Sequence, residues 1–182
     1  MADDLETFFK QATRCTPFPY QRRLADPTSD LPKLLQVPTG TGKTAAAVLS
    51  WLWRRKKRPT ETPRKLVYCL PMRVLVAQTR ACAVLWLHHL GRIAGLAELD
   101  ENDRVVRYEP AWGEPGKVAV ATLMGGETGD RWREHPECEL LLVGRQDMLV
   151  SRALNRGYAT WPQDWPVEFG LLNIAVMPIR WC

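Results

Sequence analysis

An α/β fold, with a mainly parallel sheet and helices on both faces, is predicted by three features of this chain. A glycine-rich turn, Val37-Pro38-Thr39-Gly40-Thr41-Gly42-Lys43-Thr44, lies between an apolar run at 33–37 and a long apolar helix. A second apolar run at 65–70 is again followed by a polar turn and a helix. Two further short runs, at 117–122 and 139–143, end in glycine or polar turns. Such alternation argues for βαβ units, whose ligands gather beyond the carboxyl ends of the strands.

In chain order, residues 3–13 predict an amphipathic helix with Leu5, Phe8, Phe9 and Ala12 on one side. Pro17 and Pro19 end it, and a short helix is expected from Tyr20 to Ala25. Residues 44–57 are apolar nearly all round for two turns, so that helix should be buried against a sheet. It ends in Arg54-Arg55-Lys56-Lys57-Arg58, read as a solvated cap that complements the helix C-terminus. A nucleic-acid patch is the alternative for those cations. The second turn, Pro71-Met72-Arg73, leads into a helix over about 74–90, and both turns are expected to face one crevice.

Residues 91–116 carry mixed signals, with one possible strand at 105–108. A helix should follow the run at 139–143, extending to about Asn155. Trp161-Pro162 and Trp165-Pro166 mark an irregular loop in which core packing competes with base stacking as the use of the rings. A last strand is expected at 174–177.

The glycine-rich turn has the chemistry of a phosphate cradle. Gly40 and Gly42 permit positive φ and close approach of a phosphate to inward-pointing amides. Lys43 would add a full charge at the β/γ-phosphates of ATP. Thr44 would offer its hydroxyl to Mg2+, a hard cation that takes oxygen ligands. The usual pattern has glycine where this chain has Val37. Gln21, which precedes Lys43 by 22 residues, has both a donor and an acceptor and can pair with adenine. An exposed helical glutamine is the plainer alternative.

With 182 residues, 46% of them hydrophobic and 25% charged, the chain can bury one sizeable core. Its net charge of +5 mildly favours a polyanionic partner. Cysteines 15, 69, 82, 138 and 182 form no CxxC pair and have no histidine at ligand spacing. Neither a zinc site nor a disulfide framework is therefore indicated, and a reducing cytoplasm fits. No secretory signal is evident, and no window approaches the roughly 18 apolar residues of a spanning helix.

Taken together, the motifs resemble those of the superfamily 2 helicases, and within them the helicase-nuclease of type I CRISPR systems. Pro38-Thr39-Gly40-Thr41-Gly42-Lys43-Thr44 is similar to that superfamily's cradle, including its lack of a glycine at Val37. Residues 70–79 look like its motif Ia, and residues 123–126 and 143–149 resemble later DNA-facing loops of the CRISPR enzymes. The resemblance runs from about Gln21 to Asn173 and implies a first RecA-like P-loop NTPase domain over 1–173. It also implies adenine recognition by Gln21 and a nucleotide held by Thr39, Gly40, Thr41, Gly42, Lys43 and Thr44. Single-stranded DNA would be gripped by Pro71, Met72, Arg73, Gly125, Gly126, Arg145 and Gln146, on behalf of a CRISPR surveillance complex. Arg145 departs from the small hydroxyl residue expected there.

A further departure concerns the acids. The family pattern places an Asp-Glu pair after a buried strand, to hold magnesium and orient the attacking water. Here 174–177 is followed by Pro178, and the only Asp-Glu dipeptide, Asp100-Glu101, reads as a solvated loop. Residues 174–182 are accordingly expected to be an atypical tail, from truncation or a shifted reading frame, on an incomplete domain. Two other readings remain at this point: a binding remnant without turnover, and an unrelated P-loop ATPase or kinase.

Overall fold

The computed structural model describes residues 4–32, 34–124 and 130–148. They form two compact units divided between Pro63 and Arg64.

The first unit contains α1 (Leu5–Thr13), α2 (Pro19–Ala25) and α3 (Lys43–Lys57). Helix α1 buries Phe8, Phe9 and Ala12, the apolar stripe that its sequence spacing predicts. It closes on Arg14 in the left-handed conformation at φ 62°. Pro19 begins α2, where its missing N–H and fixed φ cost nothing. Both helices pack on α3, and the Phe8 ring meets Trp53 at 5.3 Å between centroids.

Two expectations for this unit are corrected. The run at 33–37 does not form a strand: among its described residues only Leu35 adopts a bridge geometry, and Leu34 is 50% exposed. Pro32 and Pro38 flank it and remove a backbone donor at each end. The basic end of α3 is also less solvated than expected. Arg54 and Arg55 are buried. Arg54 donates to the carbonyls of Leu24 at 2.8 Å and Ser29 at 2.7 Å, while Arg55 donates to those of Pro59 and Thr62. Lys57 Nζ lies 4.6 Å from the centre of the Trp53 ring. Arginine stems and guanidinium forks suit such sites because they cover apolar surface while closing loops.

Among the described residues, the second unit is built on a three-stranded parallel sheet in the order β1 (Lys65–Leu70), β5 (Glu139–Arg145), β4 (Val118–Leu123). Its strands are apolar on both faces, as buried parallel strands must be. One face carries Val67, Ala119, Ala121, Leu123, Leu140 and Leu142, sealed by Trp132 from a 3-10 helix over Asp130–Glu134. The alternating residues Leu66, Tyr68, Leu70, Val120, Leu141 and Val143 are buried too. Helix α4 (Arg73–His89) packs against all three strands and buries Val76, Thr79, Ala83, Val84 and Leu87.

Residues 91–116, hard to order from sequence, hold an antiparallel hairpin of β2 (Gly95–Leu99) and β3 (Val105–Pro110). Asp100 makes its turn by accepting N–H bonds from Asn102 at 2.9 Å and Arg104 at 2.8 Å. Tyr108 ties the hairpin to the sheet. Its hydroxyl donates to Ala94 O at 2.8 Å and accepts from the Val120 N–H at 3.1 Å.

Candidate functional site

The glycine-rich loop folds as its composition requires. Gly40 and Gly42 take φ of +79° and +75°, the left-handed region that glycine enters without a Cβ clash. Thr41 Oγ1 donates to Pro38 O at 2.7 Å, which tightens the turn. Gly42 is the N-cap of α3, and no side chain caps that end. Its amides and the positive end of the helix dipole therefore suit an anion. Lys43, the first residue of α3, is 3% exposed, and Thr44 beside it is half-buried. A cationic, glycine-lined helix start fits a polyphosphate, and the Thr44 hydroxyl is of the right type for its magnesium ion.

Two side chains of α2 brace this loop from behind. Tyr20 Oη donates to Thr41 O at 2.6 Å, and Gln21 Nε2 donates to Gly42 O at 3.0 Å. At its other end Gln21 Oε1 accepts the Phe18 N–H at 2.8 Å. Gln21 is thus buried at 4% exposure rather than a solvated helical glutamine, and both of its amide ends hold backbone. Contact with a base in addition would use the remaining lone pair of its carbonyl or displace one of these bonds. A cavity lined by Tyr20, Arg23, Leu24, Ser29, Asp30, Pro32 and Leu35 opens beside it, and a shallower one is lined by Gln36, Val37, Pro38 and Thr39. Sequence spacing brought Gln21 to the loop; the brace by Tyr20 had no signal in sequence, because it depends on where an aromatic hydroxyl lands in the fold.

In the second unit the parallel register brings three chain exits to one edge of the sheet. Leu70 pairs with Arg145, and Leu123 with Gly144, so β1, β4 and β5 end together. Pro71, Met72 and Arg73 are exposed there, with Met72 as the N-cap of α4 and no side chain capping it. Arg145 ends β5 and pairs with Asp147 at 2.9 Å, and Gln146 begins a helix immediately afterwards. Gly125 and Gly126 lie outside the described residues, as do the tryptophan loop and the expected strand at 174–177. The glycine-rich loop and the strand-end turns belong to different units.

The DEAD/DEAH box helicase family profile matches residues 18–131, from the start of α2 through the loop, α3, β1, α4, the hairpin and β4. The chain belongs to the DEAD/DEAH box helicases. No curated protein and no solved structure matches it. As a DEAD/DEAH box helicase it has the RecA-like P-loop NTPase fold, with mixed parallel and antiparallel pairing flanked by helices, and the ATP-dependent helicase activity of its family. The matched span of this helicase includes Gln21, the loop at 38–44 and the turn at 71–73, but ends before Arg145 and Gln146. Among the described residues no helix is long and apolar enough to cross a membrane.

Proposed function

We propose that the chain is the first motor domain of an ATP-driven translocase on single-stranded DNA, acting in the cytoplasm with a CRISPR surveillance complex. The observation that carries it is the uncapped start of α3, where two left-handed glycines and buried Lys43 form one cationic corner. ATP would be held by Thr39, Gly40, Thr41, Gly42 and Lys43, with Thr44 toward Mg2+ and Gln21 near the base. Bound magnesium would supply charge neutralisation across the phosphates. The chain's own part is to orient the phosphates with loop amides and hold an ammonium against them.

Single-stranded DNA would lie along the common strand edge, on the amides at the start of α4, Arg73, Arg145, Gln146 and the glycines at 125 and 126. Such contacts position phosphates without reading sequence. The CRISPR assignment rests on the form of residues 123–126 and 143–149, which resemble loops of those enzymes.

Asp100-Glu101, the sole Asp-Glu pair of the sequence, sits in the β2–β3 turn with Asp100 engaged by its own backbone. A general base contributes roughly 10² to 10⁴ in rate, and Asp100, engaged by its own turn, is poorly suited to act as one. This favours, as a second reading, a chain that binds nucleotide and DNA without using them.

Titration with a fluorescent ATP analogue, and separately with labelled single-stranded DNA, tests both readings. Binding lost in Lys43→Ala but kept in Arg73→Ala, with the reverse for DNA, is the expected result. Equal nucleotide binding by wild type and Lys43→Ala would remove the motor reading altogether.

A further inference from the structure

The turn between the 3-10 helix and β5, His135-Pro136-Glu137-Cys138, gathers three metal-ligating side chains that the phosphate site does not use. A backbone bond from Cys138 N–H to His135 O at 3.3 Å folds the turn, so positions one and four lie side by side. His135 Nδ1 lies 3.3 Å from Glu137 Oε1, and Cys138 Sγ lies 3.6 Å from that same oxygen. All three donor atoms fall within 4.8 Å of one another.

The N···O separation is long for a hydrogen bond, whose usual distance is about 2.9 Å. Both separations match edges of a coordination tetrahedron. With metal–nitrogen and metal–oxygen bonds near 2.0–2.1 Å and metal–sulfur near 2.3 Å, the N···O edge is about 3.3 Å and the S···O edge about 3.6 Å.

A backbone donor faces the sulfur: the Gly113 N–H donates to Cys138 Sγ at 3.0 Å. Trp112 stacks on the His135 ring at 5.9 Å with 1° between planes, which fixes the orientation of the imidazole. Glu137 is exposed, so the fourth corner opens to water.

We propose that His135, Glu137 and Cys138 form a binding site for a zinc-type divalent transition cation, with a fourth position left to solvent. Binding takes the cation from water, releases the thiol proton of Cys138 to solvent, and leaves a thiolate, an imidazole and a carboxylate on the metal. The expectation that no histidine stands at ligand spacing from a cysteine is corrected here: His135 lies three residues before Cys138, and a search for CxxC pairs passes over it.

The test uses the full chain without nucleotide, titrated with Co(II) and then with Zn(II). Expected is a single equivalent of cobalt with a sulfur-to-cobalt charge-transfer band in the near ultraviolet, displaced by zinc. Cys138→Ser abolishes the band, His135→Phe, which keeps the stacking on Trp112, weakens binding, and Cys15→Ser and Cys82→Ser leave both unchanged. Should Cys138→Ser lose its fold by circular dichroism, Glu137→Gln decides the matter, because that side chain is exposed and its loss should weaken cobalt binding with the fold intact. Cobalt bound without a sulfur band, a band that survives Cys138→Ser in the folded protein, or unaltered affinity in Glu137→Gln overturns the proposal.

Discussion

Lys43 brings its ammonium to the start of a helix, where a bound anion would complement it. It is buried at the first position of α3, beside the positive end of that helix's dipole. Charges at such a position are worth about 0.3–1 kcal/mol. Lys43→Ala should abolish the stabilisation that ATP gives, as read by differential scanning fluorimetry; an undiminished shift with ATP would separate this ammonium from the phosphates. Gly42 makes a complementary case. A Cβ there would sit 2.9 Å from Gln21 Nε2 on a residue at φ +75°, and a left-handed L-residue alone costs about 1–2 kcal/mol. Gly42→Ala is expected to destabilise the chain by that order in urea unfolding and to weaken nucleotide binding. The conformations of Gly40 and Gly42 were legible in sequence because they are local. The duties of Tyr20 and Gln21 were not, since a hydrogen bond across 21 positions leaves no periodic trace.

At the scale of elements, β5 is the centre of the sheet, and Gly144 near its end shows how tightly β4 lies against it. An added Cβ would meet Leu123 Cβ at 2.6 Å and Leu123 O at 2.7 Å. Overpacking of this kind costs typically about 1–3 kcal/mol, so Gly144→Ala should lower the denaturant midpoint accordingly. The hairpin offers a pH-dependent test. Burial pushes the Tyr108 phenol up to about 12 from an ordinary value of 10.0. The folded state therefore keeps its proton after the unfolded chain has lost it. Its contribution is complete below pH 10 and is lost as pH rises from 10 to about 12, a decline of roughly 2 kcal/mol. Unfolding measured across that window should be steeper for wild type than for Tyr108→Phe. At neutral pH the variant should be less stable by about 1–3 kcal/mol, because the Val120 N–H loses its acceptor. The strands β1, β4 and β5 were readable as apolar runs between turns. Of the hairpin only β3 was signalled, by the possible strand at 105–108: Leu96 is 75% and Val106 69% exposed, so the alternation serves a single covered face within a glycine- and proline-rich stretch. The run at 33–37 failed the other way, being apolar enough for a strand but flanked by prolines.

For the molecule as a whole, a net charge of +5 on 182 residues biases association with polyanions without choosing among them. Binding to single-stranded DNA should weaken as salt rises, with log affinity falling at a slope of about −0.7 for each phosphate neutralised. Arg73→Ala should make that slope shallower by about one contact's worth in fluorescence anisotropy. An unchanged slope would place the strand elsewhere on the protein. The parallel pairing also governs how the polypeptide reaches its native state. Residues 65–70 can join the ladder only after 140–145 have been made and brought back to them, across the whole of α4, the hairpin and β4. Contacts so remote along the chain close a large loop before any reward arrives, which slows folding. Until then the edge of β1 that β5 covers is open and its side chains are apolar, so refolding at high concentration should give aggregates, and dilution or low temperature during synthesis should raise the yield.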